Sequence, residues 1–242
     1  MPLPADKATL LTALQQGDLD LQGQFLNGSN YTFLGNVQYG DLKLPVVYKP
    51  VEGEQPLWDF PTGTLAKREA AAYVVSEALG WDLVPPTVFR RKGSFGAGSV
   101  QLYMEHDRRY HYFKFSEADK ARLKPAAAFD SLINNADRKG GHVLVDNDQH
   151  LWLIDHGICF HTDDKLRTVI WDFAGQEIPA DLLADMQRLV EEIEMAAEWV
   201  GQLRALLRLS EVNGVARRAR RLLESGCFPT PSSDRPYPWP PV

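Results

Sequence analysis

Cysteine and long apolar runs are scarce in this chain. Only two cysteines, Cys159 and Cys227, occur in 242 residues, which excludes a disulfide framework and fits a reducing compartment. No apolar run approaches the roughly 20 residues that a membrane-spanning helix needs, and no internal repeat is found. The first residues lack a basic segment followed by an apolar core, so we expect no signal peptide. We therefore expect a cytoplasmic protein with no integral membrane segment.

An excess of positive charge is also missing. The 26 Lys and Arg residues are outnumbered by 32 Asp and Glu residues, which gives a net charge of −6. Such a balance provides no general attraction to nucleic acid or to an anionic membrane, so we expect no nucleic-acid partner. With 44% apolar and 24% charged residues, the composition is ordinary for a globular protein. The length suffices for one large domain or two small lobes.

The first half of the sequence predicts a small sheet with one long helix. Residues 65–79 carry apolar side chains at helical spacing and are followed by Gly80, which favours a helix end there. A short amphipathic helix is expected over residues 5–16. The strand-like segments are residues 19–26, 31–34, 44–49 and 99–104.

The turn between the first two predicted strands contains Gly28 and Ser29. Two interpretations stay open for it. The turn can be an ordinary hairpin, or it can cover a phosphate group with its backbone N–H groups.

From Ser116 onward the pattern is mainly helical. Ser116 and Asp119 resemble an N-cap, and residues 126–134 continue as a helix. Residues 181–209 predict one long helix, with Gly201 as the position of a kink.

A last helix is expected from Ser210 to Gly226. It carries Arg217, Arg218, Arg220 and Arg221, a pattern more typical of a solvated face than of a basic binding patch. The proline-rich residues after it predict an extended or loosely docked tail.

The most informative stretch runs from residue 129 to residue 160. It predicts a helix end, a polar loop, a strand, a tight turn and a second strand. A hairpin folds its two ends back onto each other, so we expect Asp137, His142 and Asp155 to lie close together. Two carboxylates and an imidazole suit a divalent cation and the phosphates that it holds. For Asp137 alone, the alternative is a loop acid that makes a turn or caps a helix.

Two motifs in this stretch resemble those of the protein-kinase-like superfamily. They are Asn-Ala-Asp-Arg at 135–138 and Leu-Ile-Asp-His-Gly at 153–157. The second is similar to the Ile-Asp-Phe-Gly of the lipid-kinase branch. The resemblance therefore points to the atypical branches, namely the phosphatidylinositol 3-/4-kinase-like catalytic domains and small bacterial proteins related to them. It extends over residues 19–209, and the N-terminal half matches only in the order of its elements.

The resemblance implies an α+β, two-lobed protein-kinase-like fold. The N-terminal lobe would hold an antiparallel sheet with one long helix, and the C-terminal lobe would be mostly helical. We assign residues 1–106 to the N-terminal lobe and 107–228 to the helical lobe, with the catalytic-loop hairpin at 135–157. Residues 229–242 form the proline-rich tail.

The resemblance also implies roles for single residues. Lys49 would be the strand lysine that contacts the ATP phosphates, and Glu69 its helix partner. Asp137 would be the catalytic-loop acid that orients or deprotonates the acceptor. Asp155 would bind Mg²⁺, and His142 would take the second metal position, where the kinase pattern has asparagine. Imidazole suits Mn²⁺ better than Mg²⁺, so the implied cofactors are ATP and Mg²⁺ or Mn²⁺.

The remaining implied nucleotide contacts lie in the N-terminal half. Gly28 and Ser29 would cover the phosphates, although residues 27–34 lack the G-x-G-x-x-G pattern. Met104 and Glu105 would lie at the hinge, where backbone groups contact adenine.

The implied function is an ATP- and divalent-metal-dependent phosphotransferase, a kinase of the atypical type. Its acceptor stays open. A phosphoinositide acceptor would call for a basic membrane-facing surface, which the net charge of −6 does not support, and a protein or a small molecule is at least an equal alternative. Residues 161–180, equivalent to the activation region, hold only Lys165 and Arg167 as basic residues. Two alternatives stay open: a nucleotide-binding pseudokinase that acts through protein partners, and a kinase-like enzyme that transfers AMP.

Overall fold

The computed structural model describes residues 3–25, 30–231 and 235–242. Within these residues the chain forms an α+β structure with seven helices and seven strands. In chain order they are α1 (Lys7–Gln16), β1 (Asp18–Gln24), β2 (Phe33–Tyr39), β3 (Leu42–Pro50), α2 (Leu65–Leu79), β4 (Thr87–Arg90), β5 (Gly98–Leu102), α3 (Glu117–Ala121), α4 (Lys124–Ile133), β6 (Val143–Val145), β7 (Leu151–Leu153), α5 (Ala180–Glu194), α6 (Glu198–Leu206) and α7 (Leu209–Ser225).

The N-terminal lobe is built on a five-stranded antiparallel sheet with the strand order β1-β2-β3-β5-β4. In β3 the side chains of Leu44, Val46 and Tyr48 are buried in a core that also contains Leu10 and Leu14 of α1. Because side chains alternate along a strand, the neighbouring residues of β3 face the other side of the sheet. That side lines the cleft between the lobes.

Helix α2 has the bounds that the sequence predicts, residues 65 to 79, and Gly80 ends it in the left-handed conformation with φ 73°. The helix is buried on most of its surface, including the charged Arg68 and Glu69. It packs against β4 and β5 on one side and against α5 and α6 on the other. Helix α2 therefore contacts both lobes, and a side chain on this helix can reach the cleft between them.

The C-terminal lobe is mostly helical and contains the short β6–β7 hairpin. The pairs Val143–Leu153 and Val145–Leu151 fix its register. In the turn, Asp146 Oδ1 accepts hydrogen bonds from the backbone N–H groups of Asp148 and His150, at 2.9 Å each. The predicted strand–turn–strand is confirmed, and with the antiparallel sheet it confirms the two-lobed α+β fold.

The prediction of one helix over residues 181–209 is wrong. The chain forms α5 and α6, and between them Ala196 takes a left-handed conformation with φ 53°. Gly201 lies inside α6 without a break. The Trp199 indole N–H donates to Glu192 Oε2 at 2.7 Å, so a side-chain hydrogen bond spans the interruption.

The arginines of α7 are only partly solvated. Arg217, Arg220 and Arg221 are exposed, as the pattern predicts, but Arg218 is only 2% exposed. It donates from Nε to the carbonyl of Leu132 at 2.8 Å, so it packs into the lobe rather than facing water.

The proline-rich tail docks on the C-terminal lobe. The carbonyl of Pro236 accepts hydrogen bonds from Thr168 N at 3.1 Å and from the Trp171 indole at 3.2 Å. The carbonyl of Pro241 accepts from Gly140 N at 2.7 Å. Proline lacks a backbone donor but keeps its carbonyl, and through the carbonyl of Pro241 the tail contacts Gly140, in the loop between α4 and β6. Among the helices of the described residues, none has the length and apolar character that crossing a bilayer requires.

Candidate active site

Lys49 connects three parts of the molecule. It lies near the end of β3, one residue after the inward-facing Tyr48, so its side chain faces the cleft. Its Nζ donates to Glu69 Oε1 of α2 and lies 3.0 Å from Asp155 Oδ1, just after β7. Desolvation in the cleft opposes the charged form, but the carboxylates of Asp155 and Glu69 outweigh it and raise the pKa of Lys49.

Glu69 is buried, and both of its oxygens are used. Oε1 accepts from Lys49, and Oε2 accepts from the backbone N–H of His156 at 2.8 Å. Burial raises the pKa of Glu69, although the positive charge of Lys49 acts in the opposite direction. The carboxylate thus holds the lysine of one lobe against the motif that follows β7 in the other lobe.

Asp155 has a left-handed backbone conformation with φ 61°, which aspartate and asparagine adopt more readily than most residues. Its Oδ1 faces Lys49 and its Oδ2 lies 3.2 Å from His142 Nε2. Desolvation works against ionisation, but Lys49 and His142 together lower the pKa of Asp155. The side chain is 47% exposed, so the carboxylate remains open to a ligand.

His142 begins the hairpin and is neutral at physiological pH. Burial lowers the pKa of His142 to about 4, with Arg138 and Lys49 acting in the same direction and Asp155 against it. Its Nδ1 accepts a long hydrogen bond, 3.4 Å, from Lys139 N. A neutral imidazole is the form that binds metal.

Asp137 lies in the loop between α4 and the hairpin. Its backbone N–H donates to Asn135 Oδ1 at 2.9 Å, and its Oδ2 lies 3.4 Å from Lys139 Nζ. Burial raises the pKa of Asp137 to about 6, while Lys139 lowers it and Asp155 adds to the rise. A carboxyl whose pKa is raised in this way accepts a proton at a pH nearer neutrality than an ordinary aspartate does.

Arg138 is a supporting residue that the sequence analysis did not assign. It is fully buried, and its guanidinium pairs with the buried Asp130 of α4 at 3.0 Å. It also donates to the carbonyl of Ile154 at 2.6 Å and lies 2.8 Å from His156 Nε2. The residues on both sides of Asp155 are thus fixed by one arginine. The sequence feature that could have pointed to Arg138 is its position directly after Asp137 in the Asn-Ala-Asp-Arg motif.

Two cavities meet at Lys49, His142 and Asp155. The smaller one, about 340 Å³, lies between the lobes. Its apolar walls are Val47, Leu102, Met104, Leu144 and Ile154. His106, which the sequence analysis did not assign, also lines it, and its Nδ1 lies 2.8 Å from the carbonyl of Met104.

The larger cavity, about 900 Å³, contains Asp137 and Lys139. The tail forms part of its wall through Trp239, a residue that is 89% exposed. The two cavities could therefore hold two reactants on either side of the charged residues.

The predicted residues divide into three groups. Lys49, Glu69, Asp137, His142 and Asp155 lie together around the larger cavity. Met104 lines the smaller cavity, whereas Glu105 is exposed and does not line it. Gly28 and Ser29 lie outside the described residues.

His142 and Asp155 offer two metal donors, an imidazole nitrogen and a carboxylate oxygen. Within the described residues, no group of three or more His, Cys, Asp or Glu side chains could hold a metal ion alone. Mg²⁺ in nucleotide sites is commonly held by one or two carboxylates, substrate phosphates and water. The residues therefore fit an ion that binds together with a nucleotide rather than a permanently bound structural ion.

Comparison with solved structures defines the class of the fold. The Golgi casein kinase with Mn/ADP bound superposes with a TM-score of 0.61 at 15% identity, over 98% of this chain and 81% of that chain. Fam20 of hydra, solved with sugar, gives 0.58 at 14% identity, over 92% and 89%. The Helicobacter pylori proinflammatory kinase CtkA gives 0.53 at 11% identity, over 89% and 94%. The chain has a protein-kinase-like fold of the kind found in these atypical kinases.

Sequence comparison defines the family. The chain is 39% identical to Protein Rv2133c of Mycobacterium tuberculosis, over 94% of this chain and 93% of the relative, and it belongs to the same family. It is also 35% identical over 115 residues to phosphatidylinositol 4-kinase gamma 4 of Oryza sativa subsp. japonica. This match covers 40% of this chain and 20% of the plant protein. No family model matches the chain.

Proposed function

We propose that the protein is an ATP- and divalent-metal-dependent phosphotransferase of the phosphatidylinositol 3-/4-kinase-like type. The observation that carries the proposal is Lys49, held between Glu69 and Asp155 where the two cavities meet. Phosphoryl transfer requires mainly positioning and charge neutralisation, which a lysine, a metal-binding acid and a loop acid provide. The partial match to the plant phosphatidylinositol 4-kinase supports the branch.

Each residue has a role in this proposal. The smaller cavity, with its apolar walls, holds the base of the nucleotide. Lys49 directs its compact positive charge at the phosphates. Asp155 and His142 would hold the metal ion, and a bound ion would supply positive charge against the transferred phosphoryl group. Asp137 orients the acceptor hydroxyl in the larger cavity and accepts its proton. The exposed Trp239 forms the wall beside the acceptor.

ATP labelled at either the γ or the α phosphate tests the proposal. With Mn²⁺ or Mg²⁺, we expect the γ label to leave ATP for protein, added acceptor or water, and the Lys49→Met variant to lose this activity. Covalent retention of the α label would instead identify transfer of AMP. Tight nucleotide binding without loss of either label would identify a pseudokinase and contradict the proposal.

The rate should depend on pH through Asp137. Because burial raises the pKa of this carboxyl to about 6, it keeps its proton to a higher pH than an ordinary aspartate. The base is therefore lost as the pH falls through about 6. We expect kcat/KM to fall roughly tenfold per pH unit below that point and to be level above it, since this profile reports the free enzyme. If kcat/KM instead began to fall only near pH 4, the result would contradict the role of Asp137.

The metal preference should depend on His142. Replacing His142 by asparagine puts an oxygen donor in place of the imidazole, and hard oxygen ligands suit Mg²⁺ better. We expect His142→Asn to keep or improve activity with Mg²⁺ and to lower the ratio of the Mn²⁺ to the Mg²⁺ rate. Complete loss of activity with both metals would assign His142 another role.

A further inference from the structure

A second large cavity, of about 850 Å³, lies in the C-terminal lobe, away from Lys49 and Asp155. Its wall is formed by the start of the activation region, by α7 and by the beginning of the tail. Among the described residues that line it, five are cationic and one is acidic. The cationic residues are Lys165, Arg167, Arg218, Arg221 and Arg235, and the acid is Asp164. We call this space the arginine cavity.

The unusual member of the wall is Arg218. The side chain is 2% exposed, and within the described residues its Nη2 atom has no hydrogen-bond partner. Leaving a charged donor buried and unpaired is costly. Burial, followed by the charge of Arg217, lowers the pKa of Arg218 to about 10. The protein therefore keeps an under-compensated cation in this wall.

The other charges of the wall do not neutralise Arg218. Asp164 is already paired with Arg221, with two N–O distances of 2.7 and 2.8 Å. Arg167 is exposed, and in the described part of the chain its guanidinium forms no hydrogen bond or ion pair. Lys165 is paired with Asp59 outside the wall, at 2.8 Å. The uncompensated positive charge of the arginine cavity therefore lies on Arg167 and Arg218, although the whole chain carries a net charge of −6.

We propose that the arginine cavity binds an anion that carries a phosphate group. Arginine presents planar, forked donors that match phosphate oxygens, and a doubly charged group satisfies several guanidinium groups at once. The cavity is larger than one phosphate needs and falls in the size range of small-molecule sites, so it has room for an organic phosphate ester. This site is separate from the nucleotide cleft and does not rest on the proposed activity.

The arginine cavity adjoins the catalytic loop. Arg167 N donates to the carbonyl of Asn135 at 2.9 Å, and Arg138 N donates to the carbonyl of Arg167 at 3.0 Å. Asn135 in turn holds the backbone of Asp137. An anion at Arg167 would therefore contact the segment that is hydrogen-bonded to the catalytic loop.

Titration with inorganic phosphate and with glycerol 3-phosphate, at constant ionic strength, tests the site. We expect heat of binding in calorimetry and a rise in Tm for the wild type, with acetate at least tenfold weaker. The main variant is Arg167→Gln, which removes an exposed guanidinium without breaking a described contact. Loss of one charged hydrogen bond should weaken phosphate binding about tenfold.

Three variants make the result specific. Arg220→Gln removes an exposed arginine that lies on α7 and does not line the arginine cavity. This variant should bind phosphate like the wild type. Lys49→Met should also keep the response, which separates this site from the nucleotide cleft. Arg218→Lys should weaken binding, and circular dichroism checks that it folds.

Several results would overturn the inference. No binding by the wild type, equal binding of acetate, or unchanged binding in both Arg167→Gln and Arg218→Lys would each do so. A response lost only in Lys49→Met would place the anion in the nucleotide cleft and would also contradict the inference. None of these results bears on whether the protein transfers phosphate from ATP.

Discussion

Replacing Asp155 by asparagine should lower metal-dependent phosphoryl transfer by about 10²- to 10³-fold, the range for losing one preorganised electrostatic group. The carboxylate lies between Lys49, at 3.0 Å, and His142, at 3.2 Å, and these neighbours favour its charged form. Asparagine keeps the size of the side chain and removes the charge that would hold the ion. The measurement is the rate of γ-label transfer with Mn²⁺ and Mg²⁺, together with the rise in Tm that metal and ATP produce in each variant.

Asparagine is a better test than alanine because of the backbone. Asp155 has φ 61°, and asparagine tolerates this region whereas alanine would be strained there by roughly 1–2 kcal/mol. The chain offers a matched control in Asp82, which is also left-handed, with φ 50°, and pairs with Lys7 on the surface. Asp82→Asn should leave the rate unchanged.

Unchanged nucleotide-induced stabilisation in Asp155→Asn would remove Asp155 from the site. Equal loss in Asp155→Asn and Asp82→Asn would point to general destabilisation. Loss of transfer with intact metal-free nucleotide binding would agree with the proposed role, because in the proposal the smaller cavity holds the base independently of the metal.

The parts of the fold that could be predicted are those with a local signal. Helix α2 has its predicted bounds because its apolar spacing and Gly80 both lie within a few residues of the helix. The β6–β7 hairpin follows from two apolar runs around a turn. The grouping of Lys49, Glu69 and Asp155 came from the family resemblance, since they lie far apart in the sequence and no local pattern joins them.

The missed features depend on contacts between distant residues. The left-handed Ala196 that separates α5 from α6 has no glycine or proline to mark it. The tail docks through backbone carbonyl groups, which every residue has. Its composition therefore did not indicate where on the lobe it docks. Arg218 is buried because α7 packs on the helix end at Leu132, whereas the run of arginines alone is typical of a surface.

The same limit explains why the support beneath the site was not predicted. Glu69 Oε2 holds the backbone after Asp155, and Arg138 holds the carbonyl before it. These two contacts fix the left-handed backbone of Asp155, the proposed metal ligand, from opposite sides. A motif can name the acid, but only the contacts of Glu69 on α2, and of Arg138 with Asp130 on α4, show what orients it.

Replacing Asp130 by asparagine should cost about 3–5 kcal/mol of unfolding free energy, the range for breaking a buried ion pair. Asp130 and Arg138 are both fully buried, and Asp130 also accepts hydrogen bonds from Asn135 and Thr168. Without the carboxylate, the guanidinium would remain charged in the core. For a chain of this size we expect Tm to fall by roughly 10 °C. Urea unfolding measures the free energy directly.

An exposed ion pair provides the control. Glu194 and Arg220 pair on the surface with half-exposed side chains, so Glu194→Gln should change the unfolding free energy by about 1 kcal/mol or less. Arg138→Met and the double variant Asp130→Leu/Arg138→Met complete the design. If the isolated charge causes the loss, the double variant should be more stable than Asp130→Asn, because no unpaired charge remains. A double variant as unstable as the sum of the two single variants would show that packing and the hydrogen bonds to Ile154 and Asn135, rather than the ion pair, hold the loop.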